Sequence, residues 1–283
     1  MPSEPPAQRF HLPSAEYNLT EHCNLRCACC DHSSPLLPRK FASLESFRRD
    51  IGALATALRV GELKLLGGEP LLHPEVEAFA RAARDSGLTE TVALFTNGTL
   101  LHRATPGLLD LVDRLFVSVY PATRLGLPLE AVEELSRRHR FRLEVRRFET
   151  FRLTTINTEI RDPELVARIY RECGMAHRWG CHTIHEGRLF RCSVAPFLEG
   201  RMAMRGVRLS TREVDGVRIH ANPTLRQDLE AYFAREEPLA ACSWCLGSSG
   251  IELPHRQLDA RGVEQAIAED HPRPRDLLAA EGC

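Results

Sequence analysis

Four cysteines, Cys23, Cys27, Cys29 and Cys30, crowd into the stretch CNLRCACCDH, and six more follow at 173, 181, 192, 242, 245 and 283. Thiolates are nucleophiles and soft metal ligands, so clusters of them point to metal or redox chemistry. Cys23, Cys27 and Cys30 have the spacing C-x3-C-x2-C. Three thiolates on one tight loop can hold three irons of a [4Fe–4S] cluster and leave the fourth iron open, as catalytic metal sites do. A structural zinc knuckle is the other reading. It ordinarily pairs two C-x2-C elements, and here it would need His22 or His32 as fourth ligand. Cys29 is either an additional thiol near that cluster or a small packing residue, and packing is the preferred reading, since buried free cysteine behaves as a hydrophobe.

The 283 residues are 43% hydrophobic, enough for one large domain or one domain with an appendage. Lys and Arg total 37 against 38 for Asp and Glu, which suggests neither a nucleic-acid footprint nor a polyanionic partner. The N-terminus lacks a basic segment followed by an apolar one, and no run of about eighteen apolar residues exists. The expectation is a cytoplasmic protein with no membrane span. In that reducing setting clustered cysteines serve as ligands or catalytic groups rather than disulfides.

The elements that position these thiols alternate. EYNLT (16–20) reads as a strand running into the cysteine loop, and 43–58 as a helix capped by Ser43. ELKLLGGEP is a strand ending in a glycine pair, followed by a helix that Gly87 closes. Strands at 91–98, 114–121 and 141–149 alternate with helices in TPGLLDLVD and PLEAVEELSRRH. Such alternation implies parallel strands with helices outside, and ligands at the C-terminal strand edge. After about residue 160 come a helix (162–173), a hairpin (181–192) turning at Glu186-Gly187, a helix capped by Asn222 with Pro223 at its first position, and CSWC.

A C-x3-C-x2-C loop directly after a first strand resembles the radical S-adenosylmethionine (SAM) superfamily, and further motifs stand in that family's order. Gly67-Gly68-Glu69-Pro70 ends the second strand, where the resemblance implies backbone contact with the SAM amino group. Thr96-Asn97-Gly98 ends the third strand and Ser118 the fourth, both implied to lie near the SAM ribose or carboxylate. Relatives carry an aromatic or bulky residue before the third cysteine; Cys29 stands there instead. The implied fold is α/β, a partial (β/α)6 TIM-like barrel followed by a cysteine-rich module. The expected boundaries are a loose N-terminus (1–14), the barrel (15–160), the module (161–255) and a C-terminal helix and tail (256–283).

Cys192 and Cys181 flank the hairpin, and Cys242 and Cys245 supply a C-x2-C pair, so four thiols can close a second site. This resembles the twitch module, a truncated SPASM domain, and implies one auxiliary [4Fe–4S] cluster; a closed zinc site is the alternative. Cys173 also fits the family spacing for the first ligand, but cross-hairpin geometry favours Cys181. His73, His182, His185 and His255 could transfer protons but read better as solvated or structural, and Tyr120 and Arg146 read as substrate-facing candidates.

The resemblance implies reductive cleavage of SAM to a 5′-deoxyadenosyl radical that takes a hydrogen atom from substrate. An electron donor such as flavodoxin or ferredoxin is the implied partner. The cysteine loop begins at residue 23, leaving no room for the N-terminal peptide-binding domain of peptide-modifying relatives. The expected substrate is therefore a small polar metabolite of sugar, aminocyclitol or nucleoside type, undergoing dehydrogenation, dehydration or a related modification. Peptide or protein maturation is the second reading, and a non-catalytic zinc-stapled binding protein the third.

Overall fold

A computed structural model describes residues 9–279. Cys283 and most of the expected loose N-terminus lie outside the described residues. Five strands follow in chain order: β1 (Phe10–Thr20), β2 (Leu58–Gly67), β3 (Thr89–Thr96), β4 (Arg114–Val119) and β5 (Arg142–Arg147). Each lies parallel to the next. The crossovers run through α1 (Leu44–Ala57), α2 (Val76–Asp85), the short α3 (Pro106–Leu109) and α4 (Leu129–His139). β1 starts at Phe10, earlier than its sequence suggests, because its first residues already pair with the start of β2.

Period-two alternation decides what each strand offers. Tyr17, Leu63, Leu65, Leu94 and Val117 join the helix-covered core. Their neighbours Glu16, Leu66, Phe95, Phe116 and Ser118 line the cavity on the opposite face. α1 presents Phe47, Ile51 and Leu54 at helical spacing, all buried, and burial of such a side chain contributes about 1.5–3 kcal/mol. Ser43 caps that helix by accepting from the Ser46 N–H, as its sequence implies. Asn222 does not cap the later helix, which runs Leu225–Ala234. Its side-chain oxygen instead accepts from the Thr224 N–H at 3.0 Å, a local turn that delays the helix start.

Further along come β6 (Thr150–Arg152), α5 (Pro163–Glu172), α6 (Gly174–His177), β7 (Thr183–His185), β8 (Arg188–Phe190), α7 (Ala195–Ala203), β9 (Gly216–Arg218) and β10 (Glu252–Pro254). The main sheet has the order β5-β4-β3-β2-β1-β7-β8-β9. It is an open α/β partial barrel with six parallel strands, but the sixth, β7, joins on the far side of β1. The expected hairpin supplies it, with β8 and β9 added antiparallel. β6 and β10 form a separate two-stranded ribbon with no period-two signal long enough to announce it.

The glycine pair has a steric cause. A Cβ on Gly68 would stand 2.1 Å from the His22 carbonyl oxygen, and one on Gly67 2.5 Å from that of Thr20. These glycines let the end of β2 press against the backbone entering the cysteine loop. Glu69, wholly buried, then fastens the edge. One of its oxygens accepts from the Leu71 N–H at 3.0 Å and the Thr96 hydroxyl at 2.8 Å, and the other from the Asn97 N–H at 2.9 Å. Burial pushes its carboxyl up to about 7 despite those three donors.

Gly68→Ala should lower stability by about 1–3 kcal/mol in urea denaturation, because the obstructing atoms are backbone. Gly52→Ala, with nothing within 4 Å on the α1 surface, should raise it by about 0.5–1 kcal/mol. The folded chain keeps the Glu69 proton to a higher pH than the unfolded chain. The wild type should therefore lose up to about 3 kcal/mol relative to Glu69→Gln as pH rises from 4.5 to about 7. Paired unfolding curves across that window measure the difference.

Candidate active site

One cavity of about 360 Å³ opens at the C-terminal edge of the parallel strands, and Cys23, Cys27 and Cys30 all line it. Gly67, Gly68, Thr96, Asn97 and Ser118 line it as well. Glu69 and Pro70 do not; they stand behind the wall and hold it. Tyr120 reaches the cavity, hydrogen-bonds Ser118 and faces the three cysteines, and its ring stacks on His255 with centroids 4.9 Å apart. Burial raises its phenol above the usual range. Arg146 remains outside the lining. It is exposed at the open β5 edge, over the Phe116 ring, and pairs with Glu144 at 3.1 Å.

The cysteine loop is clamped from a distance. Cys27 bridges Gln257, the Ala28 N–H donates to the Arg256 carbonyl at 3.0 Å, and the Arg26 N–H donates to Gln257 Oε1 at 2.7 Å. Gln257 Nε2 lies 3.3 Å from Cys27 Sγ. Cys23 Sγ faces the Leu25 N–H at 3.3 Å and Asn97 Nδ2 at 3.5 Å. Burial pushes the Cys23 and Cys27 thiols up to about 12 and Cys30 upward too, so ionising them calls for cations close by. Cys29, at φ +58°, packs beside Leu153 and Ile156 and does not line this cavity.

A second pocket gathers Cys173, Cys192, Cys242 and Cys245 among Ile169, Tyr170 and Leu239. Cys173 closes α5, Cys192 follows β8, and the C-x2-C turn brings the other two. Burial raises Cys192 to about 12 and the Cys242 and Cys245 thiols well above their usual range. Cys181 is not among them, although the sequence favours it over Cys173. The hairpin ladder ends at Thr183 and Phe190, so the register no longer holds Cys181 opposite Cys192. Cys181 lines the main cavity instead and hydrogen-bonds Glu16.

Sulfur spacing distinguishes the metals that fit. Tetrahedral Zn–S bonds of about 2.3 Å place sulfurs about 3.8 Å apart. Among the described residues, neither cysteine set brings three sulfurs within 4.8 Å of one another. Neither set is therefore drawn together as a preformed tetrahedral zinc site. The group that does meet that distance, Glu21, His185 and Glu186, already has Lys40 bridging its two carboxylates.

Sequence reasoning missed several contributors. Lys64 Nζ meets Glu16 at 3.3 Å on the buried inner face, and Arg114 binds Glu62 and Glu144 below the Phe95 ring. Arg201 of α7, also buried, donates to Asn157 Oδ1 at 3.0 Å and is influenced by Cys29 and Cys30 on one side and Cys245 on the other. Charged residues inside strands and helices read as solvent-facing, which hid all three. Of the histidines, His73 and His182 bond the backbone at Ala42 and Arg191, His185 packs on Phe197, and His255 stacks on Tyr120.

Residues 17–154 match the family described as the radical SAM superfamily. A GTP 3',8-cyclase from Chlorobaculum tepidum is 31% identical over 125 residues, covering 44% of this chain and 36% of that protein. One from Stenotrophomonas maltophilia is 38% identical over 100 residues, covering 34% and 30%. The chain thus spans about a third of the length of these curated relatives. The crystal structure of BtrN in complex with AdoMet and 2-DOIA shares the fold, with TM-score 0.56 and 14% identity over 86% of this chain and 95% of that one. Among the described residues no helix is long and apolar enough to cross a membrane. The three-cysteine loop, the glycine pair and the parallel strand edge around one cavity mark residues 17–154 of this enzyme as a radical SAM domain.

Proposed function

We propose that this enzyme cleaves SAM reductively and modifies a small polar metabolite of sugar, aminocyclitol or nucleoside type. The observation that carries the reading is the single cavity shared by Cys23, Cys27, Cys30, Gly67, Gly68, Thr96, Asn97 and Ser118. Cys23, Cys27 and Cys30 would hold a [4Fe–4S] cluster with SAM beside it, supplying one-electron cleavage to methionine and a 5′-deoxyadenosyl radical that abstracts hydrogen. Asn97 Nδ2 and Gln257 Nε2 offer hydrogen bonds to two of the sulfurs, a contact that tunes cluster potential. Gly67 and Gly68 present bare backbone to the ligand. Phe95, Phe116, Phe148 and Phe151 line the cavity and exclude water from the reacting atoms.

A small substrate agrees with the relatives named for GTP and with the neighbour crystallised with 2-DOIA. We assign Cys173, Cys192, Cys242 and Cys245 to one auxiliary [4Fe–4S] cluster. The barrel (15–160) and the cysteine-rich module (161–255) form the working unit, and a flavodoxin or ferredoxin is the electron donor.

Anaerobically reconstituted protein should contain about eight irons per chain. Replacing Cys23, Cys27 and Cys30 together by Ala should leave about four and abolish SAM binding. Replacing Cys173, Cys192, Cys242 and Cys245 should remove the other four. Zinc in both sites with little iron would refute the proposal.

A further inference from the structure

Cys181 is a half-buried thiol that lines the reaction cavity and stands outside the pocket of the second cysteine set. It shares the lining with Cys23, Cys27, Cys30 and Tyr120. Its S–H donates to the Glu16 carboxylate, itself buried and paired with Lys64, which in turn donates to the Gly180 carbonyl at 3.0 Å. A second contact, from the Ser14 hydroxyl to the same carbonyl at 2.8 Å, fixes the residue before Cys181 against β1. Cys181 is thus held and oriented at the cavity wall. Burial raises it above the usual thiol range, with Glu16 adding to the effect, so the sulfur keeps its hydrogen. Cys29, the remaining unassigned thiol of the first loop, faces another pocket.

An S–H bond is weaker than an aliphatic C–H bond, so a thiol beside a carbon radical gives up its hydrogen atom downhill. An O–H bond is not weak in this way. We propose that Cys181 is the hydrogen-atom donor of the reaction, returning a hydrogen atom to the substrate radical; the inference rests on the proposed SAM chemistry of this cavity. The S–H bond breaks as the new C–H bond forms, leaving a sulfur-centred radical on Cys181. One electron from the low-potential donor protein and one proton passed through Glu16 restore the thiol. Each turnover thus uses two electrons and one proton, and the substrate leaves neither oxidised nor reduced. This deepens the proposed function toward inversion or rearrangement at a carbon rather than dehydrogenation.

The test uses reconstituted holoenzyme with SAM and dithionite in D2O, where the exchangeable S–H becomes S–D. Without substrate, the 5′-deoxyadenosyl radical formed in this cavity should take its hydrogen from Cys181, and the 5′-deoxyadenosine should carry one deuterium by mass spectrometry. Cys181→Ser keeps a hydrogen-bond donor toward Glu16 but offers only O–D, and its 5′-deoxyadenosine should lose the label. Its iron content should match wild type. Equal labelling in wild type and Cys181→Ser would overturn the inference alone. Loss of one cluster's iron in Cys181→Ser would overturn it by making Cys181 a ligand. Absence of 5′-deoxyadenosine from every sample would overturn both the inference and the SAM reading beneath it.

Discussion

The molecule is organised around the contact between the end of β2 and the backbone leaving β1. A side chain at position 68 would collide with the His22 carbonyl, so the two chains meet there only as bare backbone. The cysteine loop starts at that contact, and Glu69 extends it sideways by bonding Leu71, Thr96 and Asn97. The ends of β2 and β3 are therefore tied to one buried carboxylate, and the Thr20 hydroxyl at the end of β1 donates to the Glu69 backbone carbonyl at 3.1 Å. Asn97, placed by that tie, reaches Cys23 Sγ and also donates to Asn24 Oδ1 at 2.9 Å. Steric exclusion at two glycines becomes, through a few hydrogen bonds, the position of a thiol.

The inner face carries charge where the outer face carries leucine. Glu16 with Lys64, and Arg114 with Glu62 and Glu144, fill the face that no helix covers. Glu16 and Lys64 can be buried because each finds a partner of opposite sign, and Arg114, Glu62 and Glu144 are half-buried. Phe95 and Phe116 stack with centroids 4.7 Å apart over the Arg114 guanidinium, while Glu16 lines the cavity itself. The wall is polar at its base, aromatic in its middle and sulfur-lined at its rim.

Local signals in the sequence identified what local spacing controls. The cysteine triplet, the order of the glycine, Thr96-Asn97 and Ser118 motifs, the Ser43 cap and the hairpin turn at Glu186-Gly187 all depend on neighbours within a few residues. Contacts made by distant segments were not legible. Choosing Cys181 over Cys173 meant extending the hairpin register two residues past the point where the ladder stops. Gln257 is an ordinary polar residue in the sequence, and only the fold brings it to Cys27. Arg201 sits in a helix whose apolar pattern is weak on every face, because the whole helix is nearly buried.

β1 is an interior strand only because the chain returns to it after residue 160. On one side it pairs with β2 over most of its length; on the other it pairs with β7 at Glu16 and Tyr17, reinforced by the Glu16 N–H bonding the His182 carbonyl at 2.7 Å. A chain cut after β5 would leave that second side of β1 bare, with unpaired N–H and C=O groups beside the cysteine loop. Sheet edges of that kind recruit strands from other molecules. The C-terminal portion is accordingly no detachable cassette: excising it would turn the strand that carries the cysteine loop into a seed for aggregation.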